Sequence, residues 1–148
     1  MIQLVNYEIS TILNEDYTSA LEKTRKALKN EGFGVLTEID VKKTFKEKLN
    51  VEFERYTILG ACNPPFAKKA LDFEREIGLL LPCNLIVQEL EEGKKTKVAA
   101  IDPEKMFQLI ENSRLESIAT EVKNKLQRVI ISLKKESDDF LYSVEASI

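Results

Sequence analysis

The chain has 148 residues, of which 43% are hydrophobic and 32% charged, with a net charge of −3. That describes one soluble globular domain, large enough for a core that needs no disulfide or metal. Interleaved lysines and acids leave no basic footprint for nucleic acid. No apolar run approaches the roughly 18–20 residues that cross a bilayer.

Gln3 to Thr11 alternates, with Val5, Tyr7 and Ile9 on one side, and predicts a strand with one wet face. Asn14 is the expected N-cap of a first helix, with Glu15 and Asp16 in its first turn. Tyr17, Ala20, Leu21, Thr24 and Leu28 form its buried stripe, and Gly32 is its left-handed stop. Phe33 to Ile39 predicts a second strand. Asp40 caps a short helix that ends at Asn50. The exposed lysines of this helix, Lys42, Lys43, Lys46 and Lys48, read as a solvated face.

Val51 to Cys62 predicts a third strand, and Asn63-Pro64 a helix start with cap and first-position proline. Phe66, Ala70, Phe73 and Ile77 form that helix's stripe, and Gly78 is its stop. Leu79 to Leu90 predicts a fourth strand, with Pro82 at a bulge, an edge or the first residues. Glu91 to Lys95 is a hairpin turn and Thr96 to Ile101 a fifth strand. Asp102-Pro103 opens a helical turn. Ser113 and Glu116 have capping-box spacing ahead of a long helix striped by Leu115, Ile118, Ala119, Val122, Leu126, Val129 and Leu133. The order of elements predicts an α+β fold of two layers: a mostly antiparallel sheet of about five strands with helices packed on one face. Residues 1–148 read as a single domain, with 136–148 as a C-terminal extension that frays or docks.

Ile58 to Leu85 holds both cysteines, each followed by an asparagine and each near a proline. Cys62 is expected where a strand meets a helix N-terminus, a place that stabilises thiolates. Pro64 and Pro65 lack N–H groups, so only Phe66 and Ala67 are left as donors there. If the third and fourth strands are neighbours, Cys83 lies within disulfide range of Cys62 as an exchangeable pair. The competing reading is two small core residues without a function. A tetrahedral metal site lacks two further soft ligands, so no metal and no cofactor are expected. Histidine is absent, which removes the commonest general base and the Cys-His nucleophile pair.

Leu59-Gly60-Ala61-Cys62-Asn63-Pro64, then Ala67, Ala70-Leu71 and Leu79-Leu80-Leu81-Pro82-Cys83-Asn84, resemble the signature of the domain-of-unknown-function 302 family. Gly32 to Asp40 and Lys48-Leu49 fit its amino-terminal half. The resemblance covers roughly Tyr7 to Leu133. It implies a two-layer β-α-β-β-β-β-α arrangement and small proteins that associate as dimers, and it supplies no reaction, substrate or cofactor.

The leading expectation is a cytoplasmic homodimeric binding module with a small-ligand or thiol pocket. Cys62 and Asn63 form one wall, Cys83 and Asn84 the other, with Tyr56 or Arg55 nearby. Nucleic acid and membranes are not expected partners. The alternatives are a thiol-dependent redox or transfer enzyme with Cys62 as nucleophile, and a purely structural or interaction protein.

Overall fold

The computed structural model describes residues 7–146, with side chains described through 135. Five strands, β1 (Glu8–Leu13), β2 (Gly34–Asp40), β3 (Tyr56–Cys62), β4 (Cys83–Leu90) and β5 (Lys95–Ile101), form one sheet in the order β1-β5-β4-β3-β2. Every neighbouring pair is antiparallel. The α+β class expected from the sequence is the fold observed.

Helix α1 (Tyr17–Asn30) and the long α5 (Glu116–Ala146) lie together on one face of the sheet, joined by α3 (Pro64–Phe73) and α4 (Pro103–Phe107). The alternation of each strand makes that face apolar. Leu59 and Ala61 of β3, Leu85 and Val87 of β4, and Val98 and Ala100 of β5 are buried under the helices. All seven residues of the expected α5 stripe, Leu115 to Leu133, are in the core. Each such leucine, isoleucine or valine contributes roughly 1.5–3 kcal/mol by leaving water. Helix α2 (Val41–Leu49) leans on β2 and β3, where Val41 and Phe45 share a groove with Tyr56 and Ile58, residues of the opposite sheet face. Its Lys42 and Lys46 both pair with Glu52, in keeping with a solvated face.

Several boundaries differ from the sequence reading, each for a physical reason. Asp16, not Asn14, caps α1, because its carboxylate accepts from Ser19 N at 2.7 Å. Glu15 turns inward and pairs with Lys23. Helix α3 stops at Phe73 and does not run to Gly78. The Phe73 carbonyl is taken by Asn112 Nδ2 and an Arg114 guanidinium nitrogen, each at 3.0 Å. Residues Arg75–Leu80 then form a 3-10 turn that still delivers Ile77 to the core. The expected fourth strand therefore loses its first four residues, and Leu79 is exposed. The same Asn112 accepts from Arg114 N, which displaces the Ser113–Glu116 capping box. Asp102 does cap α4 as expected, and also pairs with Lys123 of α5 at 3.0 Å. Gly32, at φ +84°, stops α1 in the left-handed region.

The first strand begins at Glu8, so the expected contribution of Val5 lies outside the described residues. The helix backbone continues to Ala146. The expected docking of Phe140, Leu141, Tyr142 and Val144 concerns side chains outside the described residues.

Candidate functional site

The site grows from the register of β3 and β4. Ala61 stands opposite Cys83, and Gly60 opposite Asn84. Side chains alternate across a strand, so Cys83 goes to the helix face with Leu85 while Asn84 goes to the other face. The Leu81-Pro82 peptide is cis, and the Pro82 ring lies over Gly60 on the far face. At the strand ends, where β3 turns into α3, an apolar cavity of about 250 Å³ opens between the sheet, α3 and α5. Its sulfur-bearing end is formed by Cys62, Asn63 and Cys83. Phe66, Ala67, Ala70 and Leu71 of α3 form one side, and Phe107, Ile118 and Val122 the helical back. Phe33, Leu36, Leu81 and Pro82 complete it. No charged side chain lines the cavity.

Cys62, Asn63 and Cys83 all line this cavity, but the other three candidate residues do not join them. Asn84 is exposed on the opposite face, beside Pro82, Ile101 and Met106. Tyr56 begins the strand that Cys62 ends, about 20 Å away at 3.3 Å per residue. Arg55 pairs with Glu89 and stacks over the Tyr17 ring, 4.9 Å from its centre. Of the expected second wall of Cys83 and Asn84, with Tyr56 or Arg55 nearby, only Cys83 lines the cavity, and side chains of α3, α4 and α5 stand where the others were expected.

Leu36 is the clearest omission. The β2–β3 register shifts between Val35 and Thr37, so Leu36 is an extra residue in the ladder. Bulges re-aim side chains, and this one brings a 67% exposed leucine to the cavity. The adjacent apolar pair Val35-Leu36, which breaks the alternation of β2, was the available signal. Phe107, Ile118 and Val122 are distant in sequence and carry no such sign.

Both cysteines are free. Cys83 is 6% exposed. Burial, and secondarily the charge of Cys62, push its thiol up from 9.0 to about 11. It is therefore a neutral thiol at physiological pH. At Cys62 the helix start offers no free amide. Pro64 and Pro65 have none, and Phe66 N and Ala67 N, which the sequence left available, both donate to the Asn63 carbonyl at 3.1 and 3.0 Å. Asn63 holds the N-cap position, but its side chain makes no cap bond. Its Nδ2 instead donates to the Glu31 carbonyl at 3.2 Å, tying α3 to the end of α1.

Among the described residues no group of three or more His, Cys, Asp or Glu side chains is placed to hold a metal. No helix among them is long and apolar enough to cross a membrane.

Residues 9–133 match the family model described as domain of unknown function DUF302. The fold is also similar to the crystal structure of an uncharacterized conserved DUF302 protein from Bacillus stearothermophilus, with a TM-score of 0.77 at 26% identity. The match covers 84% of this chain and 95% of that one. No curated protein matches.

Proposed function

The chain belongs to the DUF302 family, and we propose that it is a binding module whose ligand is a small, predominantly apolar molecule held against Cys62, Asn63 and Cys83. The observation that carries this reading is the cavity itself: about 250 Å³, walled by phenylalanine, leucine and alanine side chains and free of charge. An engineered apolar cavity of ~150 Å³ in another protein suffices to hold benzene. The volume here suits a substituted ring or a short branched chain.

Thiol catalysis by Cys62 finds less support. The helix start contributes no donor to a thiolate, no histidine is present as a base, and Cys83 holds its proton. Two thiols on an apolar wall also suit a ligand that packs against soft, polarizable sulfur.

Toluene is a direct probe. Titrated into the protein, it should shift amide resonances of Cys62, Phe66, Leu71 and Val122 while leaving those around Tyr56 and Phe45 in place. Ala67 is half-buried and lines the cavity, so Ala67→Trp should abolish the shifts with little change in melting temperature. Wild-type spectra left unchanged by saturating toluene, fluorobenzene and phenol alike would sink the binding reading.

A further inference from the structure

Asn63 occupies the N-cap position of α3 and caps nothing. An N-cap side chain normally accepts from the N–H of the second or third helical residue. The second here is Pro65, which has no N–H. The third, Phe66, gives its N–H to the Asn63 backbone carbonyl. The pair of prolines thus releases the Asn63 side chain from the role its position would assign.

The Glu31 carbonyl fixes which end of the amide is which, because a carbonyl only accepts and so must face Nδ2. A Cβ on Gly32 would lie 3.3 Å from that same nitrogen, which shows how closely the amide's donor end is seated on the α1 terminus. Oδ1 is the end left over, and among the described residues no group donates to it. The residue is 8% exposed and borders the cavity. Oδ1 is not sealed off, either: among the described residues the unpartnered side-chain atom fully shut away from solvent is Glu15 Oε2. The cavity therefore has hydrocarbon and sulfur walls and is bordered by a largely buried amide whose oxygen has no donor among the described residues.

An unfilled acceptor penalises any occupant that displaces water from it without replacing the hydrogen bond. With no lysine or arginine in the lining there is nothing to hold an anion, and with no carboxylate nothing to hold a cation. We infer that the ligand is a neutral, apolar molecule with one hydrogen-bond donor, a hydroxyl or N–H on a hydrocarbon body, which it gives to Asn63 Oδ1; this rests on the binding reading above. Sites built to hydrogen-bond a ligand group reject analogues that lack it more strongly than hydrocarbon pockets discriminate by size.

Phenol, fluorobenzene and toluene test the inference by calorimetric titration of the full chain. They share a ring and differ at one substituent, of which the phenol hydroxyl alone donates. Phenol should bind the wild type several-fold more tightly than fluorobenzene, although it is better hydrated in water. In Asn63→Val the phenol-to-fluorobenzene affinity ratio should fall about tenfold, with toluene binding changed far less. Should the valine variant fail to fold, the wild-type comparison decides alone. Fluorobenzene binding as tightly as phenol, or a ratio unchanged by Asn63→Val, overturns the donor inference and leaves the apolar-ligand reading standing. Failure of all three to bind overturns both.

Discussion

Replacing Gly60 with alanine should destabilise the fold by roughly 2–3 kcal/mol, the upper part of the range for overpacking a closed site. Gly60 is buried in the middle of the β2–β3–β4 ladder, opposite Thr37 on one side and Asn84 on the other. A Cβ there would stand 2.7 Å from Pro82 Cγ and closer still to Thr37 Oγ1. Real Cβ atoms do not approach so near, so something must move. The threonine hydroxyl can rotate away, whereas the proline ring cannot, and its backbone leads directly into Cys83. For a chain of this size the loss corresponds to a fall in melting temperature of roughly 5–10 °C. The double variant Gly60→Ala with Thr37→Ala should recover part of it, because the ring still blocks the new methyl. A Gly60→Ala denaturation midpoint equivalent to within about 0.5 kcal/mol of the wild type would show that the Pro82–Gly60 contact is soft. The same variant should weaken toluene binding, since the contact fixes the chain that carries Leu81, Pro82 and Cys83 to the cavity.

Cys83 should be labelled about a hundredfold or more slower in the folded protein than in the unfolded chain, while Cys62 is labelled in both. Iodoacetamide at pH 8 should modify Cys62 in the folded protein, because it is part-exposed at the cavity. Cys83 should react at a comparable rate only once the chain is unfolded. The slowing of Cys83 by folding has two parts. A thiol raised from 9.0 to about 11 holds about a hundredfold less thiolate near neutral pH, and burial adds a steric barrier. Toluene should slow the labelling of Cys62 by covering it. Equal rates for both cysteines in native buffer would count against the buried-thiol geometry.

The same shift fixes a sign for alkaline stability. The folded Cys83 binds its proton more tightly than the unfolded one, so its contribution is complete below about pH 9 and is lost as pH rises through about 11. The loss is on the order of 2–3 kcal/mol, two pKa steps at about 1.4 each. Burial also raises Tyr17 and Tyr56, which slope the same way, so the Cys83 share is the difference between wild type and Cys83→Ala. That difference should shrink steadily from pH 9 to 11. A constant difference across the range would contradict the assignment.

Much of this molecule was readable along the chain, because helix and strand periods are local properties. The α5 stripe, the Asp40 and Asp102 caps, the left-handed Gly32 and the Glu91–Gly93 hairpin all follow from residues within a few positions of one another. So does the concentration of cysteine, asparagine and proline in Ile58–Leu85. At the end of α3, by contrast, distant residues take over a backbone group. Asn112 and Arg114 claim the Phe73 carbonyl, some forty residues away, and end α3 early.

What the sequence by itself determined was therefore the set of elements, the α+β class and the concentration of unusual residues around Cys62 and Cys83. Tertiary structure alone decided which of those residues share a space. The β3–β4 register pairs Cys83 with Ala61 and so turns Asn84 to the far face. The β2 bulge brings in Leu36, and α5 brings in Ile118 and Val122. The Glu31 carbonyl takes the donor end of Asn63, a residue that borders the cavity. A one-residue change of register reverses every side chain of a strand, and register is a property of two strands and the layer packed on them, not of either segment read alone.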